Sequence, residues 1–270
     1  MLRSLLILTL AAATAAPIFA QTAQRRRGAS PDSWCDDGSD SGRARHCEVR
    51  ETTVPGNPIE VDAGRNGGIH VRGADRGDVL VRAKIVGYAN TDADARRITA
   101  AVRVDTTGGR IHAEGPSMEN SDEQWSVSYD LEVPRNGAVT LTAHNGGIMI
   151  EGFRGSAEFH AQNGGIALTD VSGDIKGTTT NGGVSIDLRG TQWDGAGLDV
   201  ETHNGGVKLT LPANYSAELE TGTTNGRVSI DFPVTIQGNV SRHFTTTLGA
   251  GGAKLRVITT NGGVSVRQSS

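Results

Sequence analysis

The tripeptide Asn-Gly-Gly begins at Asn66, Asn145, Asn163, Asn181, Asn204 and Asn261, and Asn225-Gly226-Arg227 is a variant of it. From Asn145 the successive spacings are 18, 18, 23, 21 and 36 residues. The last is twice 18, and 23 and 21 read as 18 plus short insertions. A turn element that returns at a near-constant interval restricts the chain to a repeat architecture, in which each repeat buries its apolar face only against its neighbours.

The columns around the motif show what each repeat is made of. Three residues after each Asn stand Ile148, Ile166, Val184, Val207, Val228 and Val264; five residues after stand Ile150, Leu168, Ile186, Leu209, Ile230 and Val266. Met149, Ala167, Ser185, Lys208, Ser229 and Ser265 lie between them. Apolar, mostly polar, apolar is the period-two pattern of a half-buried strand. Two residues before each Asn the column is always small: Ala143, Ala161, Thr179, Thr202, Thr223 and Thr259. It is the inward column, as a tight stack requires.

Asn-Gly can close a two-residue hairpin, because both residues tolerate positive φ. An antiparallel β-sandwich or meander is therefore one solution. The other, favoured here because identical strands recur in the same direction, is an all-β chain built as a β-solenoid or β-helix of about 18-residue coils. A second turn signal at Val171-Ser172-Gly173-Asp174 divides the best copy into two strands and two corners. Stacked asparagines Asn66, Asn145, Asn163, Asn181, Asn204, Asn225 and Asn261 would then form a hydrogen-bonded ladder along the axis. Glycine, 37 of 270 residues, is in excess because 13 of those glycines lie in the seven motifs.

The repeats also delimit the domains. Residues 1–20 read as a signal peptide: Arg3, then an apolar run from Leu5 to Ala16, then Ala20 before cleavage at Gln21. Residues 21–54 read as a flexible leader with a disulfide loop, since an exported pair of cysteines, Cys35 and Cys47, is expected to be oxidised. A metal site using His46 beside Cys47 has too few ligands. Residues 55–142 read as an irregular β-rich N-terminal capping region with one short helix after Thr91, and 143–270 as the repeats. Within the capping region Trp125, Val127, Tyr129, Leu131 and Val133 share one face.

The segment Trp125–Pro134, the Asn-Gly-Gly coils and the ending Gly251-Gly252-Ala253-Lys254-Leu255-Arg256-Val257 resemble a bacterial β-strand-repeat family known as a putative adhesin of unknown function. The resemblance covers about residues 55–270. It implies an exported, envelope-associated β-solenoid and supplies no catalytic residues. Glycine stands here where many members carry Asp or Ser after Asn-Gly.

Function classes narrow accordingly. The full chain has a net charge of −4, which argues against nucleic-acid binding. No second apolar run is long enough to span a membrane in the mature chain. No aspartate recurs in the turns, so structural calcium is not expected, and no cofactor is implied. Polysaccharide cleavage needs two carboxylates at a controlled separation; Asp170, Asp174, Asp187 and Asp194 are the candidates, although Asp at corners is commonly a turn former. Trp193, in the insertion Arg189–Gly197, is a possible sugar platform on a surface loop. The expectation is a non-enzymatic, periplasmic or cell-surface scaffold whose partner is an envelope protein or a glycan. The alternative is a polysaccharide-active enzyme on a β-helix.

Overall fold

The computed structural model describes residues 34–36, 42–56, 58–117, 122–231 and 242–269. The expected signal peptide, 1–20, lies outside the described residues. The chain divides into Met1–Gly38, in which the described stretch is a single turn at 34–36, and Ser39–Ser270, which carries the strands and the repeats.

This larger unit is mostly β, with one α-helix among the described residues. Its N-terminal part contains β1 (Ala44–Pro55), β2 (Ile59–Asp62), β3 (Ile69–Ala74), β4 (Asp78–Ala89), helix α1 (Asp92–Ala101), β5 (Arg103–Asp105), β6 (Arg110–Glu114) and β7 (Gln124–Pro134). The repeats supply β8 (Ala138–Ala143), β9 (Ile148–Glu151), β10 (Ser156–Ala161), β11 (Ile166–Thr169), β12 (Asp174–Asn181) and β13 (Val184–Asp187). They continue with β14 (Gly197–Asn204), β15 (Val207–Leu211), β16 (Ala217–Asn225), β17 (Val228–Asp231), β18 (His243–Leu248), β19 (Lys254–Asn261) and β20 (Val264–Gln268).

Two ten-stranded mixed sheets result. Sheet 1 runs β1-β4-β7-β3-β9-β11-β13-β15-β20-β17 and sheet 2 runs β18-β16-β19-β14-β12-β10-β8-β2-β6-β5. Each Asn-Gly-Gly corner carries the chain from a strand of sheet 2 to a strand of sheet 1. Like columns then pair in parallel: Ile166 is level with Ile148 on one side and Val184 on the other, and Ala157 with Val139 and Ile175. The corners are therefore not hairpins, and the antiparallel meander is excluded for the repeats. The result is solenoid-like. Between the sheets the inward columns form one continuous core, in which Leu141, Ile150, Ile175, Ile186, Val200, Leu209 and Val257 are fully buried. Size is balanced within a column. A Cβ on Gly177 would lie 1.8 Å from the Phe159 ring, so the large side chain occupies the space the glycine leaves.

The first glycine of each motif is there for close approach. A Cβ placed on Gly146, Gly164, Gly182, Gly205 or Gly262 would lie 2.1 Å from the carbonyl oxygen of the first glycine in the adjacent coil. Positive φ, the basis for expecting hairpin turns, is absent from these positions except at Gly262. The second glycine has more room and faces the coil on the other side: the nearest oxygen of that coil would be 2.9–3.2 Å from a Cβ on Gly68, Gly147 or Gly165, and 3.4 Å, an ordinary contact, from one on Gly183, Gly206 or Gly263.

Coil order departs from sequence order. The C-terminal strands β19 and β20 insert between the coil of β14 and β15 and the coil of β16 and β17. The 36-residue spacing between Asn225 and Asn261 thus spans a return from the outermost coil to the one inside it. The variant motif coincides with the end of the stack: Arg227 stands in place of the second glycine in the outermost coil, beside which no further coil is stacked among the described residues.

The N-terminal region closes the other end. Thr91 caps α1, its Oγ1 accepting the Asp94 amide at 3.2 Å. Ala95 and Ile98 pack on Ala89. Arg50 donates to the carbonyls of Thr99 and Val102 at the C-terminal end of α1, where a cation is favoured. Residues 44–54, expected as part of a flexible leader, belong instead to β1, which pairs with β4 along its whole length. Its sequence, Ala-Arg-His-Cys-Glu-Val-Arg-Glu-Thr-Thr-Val-Pro, shows no apolar alternation because it is an edge strand recruited by backbone pairing, and its charges suit an edge.

Gly182→Ala is expected to cost more than about 3 kcal/mol, because backbone of two coils must separate, whereas Gly183→Ala should stay within about 1 kcal/mol of wild type. Denaturant midpoints of the two variants check this contrast.

Candidate functional site

The Asn-Gly-Gly corners build one edge of the molecule. Seven side chains stand in the spatial order Asn66, Asn145, Asn163, Asn181, Asn204, Asn261, Asn225. Each carboxamide Nδ2 donates to the Oδ1 of the preceding member at 2.8–3.0 Å. A carboxamide carries both donor and acceptor, so it propagates through coils held at strand spacing. The members from Asn145 to Asn204, and Asn225, are exposed.

Beneath this edge the small column has a second task that its size alone does not announce. The hydroxyls of Thr179, Thr202, Thr259 and Thr223 donate to the carbonyls of Gly164, Gly182, Gly205 and Gly262 at 2.7–2.8 Å. All four threonines are buried. Each satisfies the glycine oxygen turned toward its own coil, an acceptor that would otherwise be buried unpaired. The signal was in the sequence as the change from Ala143 and Ala161 to threonine.

The outer faces of both sheets carry cross-strand charge networks. On sheet 1, Glu132 accepts from Arg82 at 3.1 Å, Arg76 at 3.3 Å and Arg72 at 3.4 Å, while Arg72 also meets Asp130 at 2.9 Å and Arg82 meets Glu51 at 2.8 Å. Burial alone would raise the Glu132 carboxyl, but the Arg82 hydrogen bond and the surrounding guanidinium charges hold it below its ordinary value. On sheet 2, Arg256 bridges Asp199 at 2.7 Å and Glu201 at 3.3 Å, and Lys254 meets Glu220 at 2.6 Å.

Concavities on this surface include a groove and a cleft among the described residues. A groove of about 370 Å³ crosses the outer face of sheet 2, lined by Thr140, Thr142, Glu158, His160, Lys176 and Thr178. These are alternate outward residues of three adjacent strands, and His160 Nδ1 lies 2.8 Å from the Thr178 hydroxyl. A cleft of about 510 Å³ lies at the N-terminal end between β1 and β5, with Val81 and Ala83 at its floor and Arg50 and Arg103 among its lining.

The remaining candidates fall elsewhere. Trp193 is 5% exposed, and its indole N–H donates to the Gly173 carbonyl at 3.0 Å. The ring covers the core under the enlarged corner, so it offers no platform for a sugar. Asp170 is held by Arg154 at 2.7 Å and Asp174 by Lys176 at 3.1 Å. Asp170 and Asp187 follow and end strands of sheet 1, Asp174 starts one of sheet 2, and Asp194 lies in the enlarged corner. Cys35 and Cys47 are both disulfide-bonded. Among the described residues no three His, Cys, Asp or Glu side chains are grouped to hold a metal ion. No helix among them is long and apolar enough to cross a membrane.

Parallel coils, a ladder along one edge and charge-networked faces define a repeat scaffold that meets its surroundings with sheet surfaces. The chain belongs to the family described as Toastrack DUF4097, which it matches over residues 76–267. It is similar in structure to a putative cell adhesion protein from Clostridium sporogenes, at 10% identity and a TM-score of 0.41, covering 82% of this chain and 100% of the other. It is also similar to a putative adhesin from Bacteroides fragilis, at 12% identity and a TM-score of 0.35, covering 83% and 97%. A third similar structure is a putative lipid binding protein from Parabacteroides distasonis, at 10% identity and a TM-score of 0.31, covering 82% and 97%. No curated protein matches the sequence.

Asn163→Ala removes two ladder bonds and should cost about 1–2 kcal/mol, while Asn225→Ala at the ladder's end removes one and should cost about half as much, as read by thermal or chemical unfolding. A carboxyl held low in the folded state stabilises above its unfolded value, near pH 4.3, and that contribution is lost as pH falls through the lower folded value. The stability of wild type should therefore decline more steeply below about pH 4 than that of Glu132→Gln, in acid titrations of the unfolding midpoint.

Proposed function

We propose that the protein is an exported, non-enzymatic scaffold of the cell envelope, periplasmic or surface-borne, that presents a rigid β surface to an envelope protein or a glycan. The observation that carries this reading is the outer face of sheet 2. There Thr140, Thr142, Glu158, His160, Lys176 and Thr178 set donors and acceptors in rows at strand spacing, backed by a close-packed core. Side chains fixed on strands lose little freedom on binding, which favours recognition of an extended or repetitive partner.

Export is supported by the signal-like residues 1–20 and by the oxidised cysteines, a state characteristic of compartments outside the cytosol. The same reading assigns 143–270 to coils of about 18 residues, enlarged at Arg189–Gly197, and 55–142 to the cap that closes one end. The asparagines are structural in this reading: they hold the edge that fixes the binding face. The acids weighed for catalysis serve as turn formers and ion-pair partners, consistent with the contacts of Asp170 and Asp174.

Glycan arrays and envelope pull-downs test the proposal. The variant His160→Ala/Lys176→Ala truncates two exposed side chains, so its fold should be retained, with a stability loss under about 1 kcal/mol, while retention of the captured ligand falls about tenfold. Absence of any ligand, together with turnover of a polysaccharide that disappears when Asp170, Asp174, Asp187 and Asp194 are replaced together, would overturn it.

A further inference from the structure

The two ends of the coil stack are finished differently. At the N-terminal end β1, β4, β7 and α1 extend past the first repeat. At the C-terminal end sheet 2 terminates in the antiparallel strand β18, which covers β16 and buries Leu248. Sheet 1 terminates, among the described residues, in β17, which pairs with β20 on one side only. Its inward residues Val228 and Ile230 are only partly buried, whereas the same columns one coil inward, Val264 and Val266, are 2% and 0% exposed. Such an edge presents unpaired amides and carbonyls beside apolar surface, a template for another strand.

The sequence of this edge says which strand fits it. Residues 227–231 read Arg-Val-Ser-Ile-Asp. Set antiparallel to itself about Ser229, the segment places Arg227 opposite Asp231 twice, Val228 opposite Ile230 twice, and Ser229 opposite itself. Residues directly opposite share a face in an antiparallel pair. The charged pairs and the serines would therefore lie on the outer face and the aliphatic pairs on the core face. Arg227 and Asp231 are exposed, and neither has an ion-pair partner among the described residues. No such complementarity exists for a parallel approach, which would set Arg227 beside Arg227 and Asp231 beside Asp231.

We propose that β17 is a self-recognition edge, through which two copies of this chain join sheet 1 antiparallel across a two-fold axis at Ser229. The interface is isologous, so it closes at two copies and does not propagate. This dimer places the two sheet 2 faces on one particle, where paired weak sites gain avidity toward a repetitive ligand. The dimer itself depends on β17 alone and stands whether or not that face binds a glycan.

The test is sedimentation of the purified full chain over a concentration series. Wild type should show a monomer–dimer equilibrium. Asp231→Arg or Arg227→Asp opposes like charges twice per dimer, and each should weaken association about tenfold or more at low salt. The double variant Arg227→Asp/Asp231→Arg should restore it. A mixture of the two single variants should form a heterodimer, because all four charges are then complementary. Ser229→Cys should cross-link spontaneously under oxidising conditions, while Ser185→Cys, at the equivalent outward position of interior strand β13, should not. A wild type that stays monomeric throughout overturns the proposal. So does a dimer indifferent to both charge reversals, or single variants that do not combine on mixing.

Discussion

Contact between backbones at the first glycine of each motif is the constraint on which the rest of this structure depends. Successive coils meet there with a carbonyl oxygen where a Cβ would otherwise stand. That approach brings the corners to strand spacing, and strand spacing lets a carboxamide on one coil reach the next. The asparagine ladder is therefore a consequence of glycine packing rather than its cause. The threonine bonds depend on it in the same way: the oxygen that excludes a Cβ is the oxygen that Thr179 or Thr202 must satisfy. A single residue type at one position thus sets a steric limit, an acceptor to be paired and the pitch of a ladder.

The same geometry gives the stack a direction. The first glycine of a motif abuts the preceding coil, and its neighbour abuts the next. A Cβ at the first position is excluded by the preceding coil, whereas the second position has room for one at Gly183, Gly206 and Gly263. Arg227 stands at the second position of its coil, and the structure places that coil last although β18, β19 and β20 come later in the chain. The order of the coils thus departs from the order along the chain, at the modest entropic cost of a longer connection.

The features legible in the sequence had a local period. The inward columns from Ile148 to Val266, the capped helix at Thr91 and the face of β7 from Val127 to Val133 each repeat or punctuate within a few residues, so their burial follows from pattern alone. The illegible features depended on partners distant in the chain. β1 has no pattern of its own and is a strand because β4 offers an edge. Trp193 sits in a polar insertion that suggests exposure, yet its ring is drawn over a core that only the fold assembles. The insertion of β20 between β15 and β17 likewise rests on pairing with strands distant in the chain. The aspartates at corners were legible as turn residues, and Arg154, the ionic partner of Asp170, was not, because it comes from a neighbouring coil.

The division between inward and outward positions also explains why function is faintly written in this chain. Between the two inward residues of the six sheet 1 strands from β9 onward stand Met149, Ala167, Ser185, Lys208, Ser265 and Ser229, six positions with four chemistries and no common requirement. Closure of the coil constrains every second residue and leaves the alternate ones free. Selection on a binding surface can then alter Glu158, His160 or Lys176 without disturbing the packing of Ala157, Phe159 or Ile175 beside them. A fold of this kind uncouples stability from recognition residue by residue. Members that share the inward columns and the glycine corners can therefore share a shape while their outer faces diverge, and the partner of each must be read from its alternate positions rather than from its repeat.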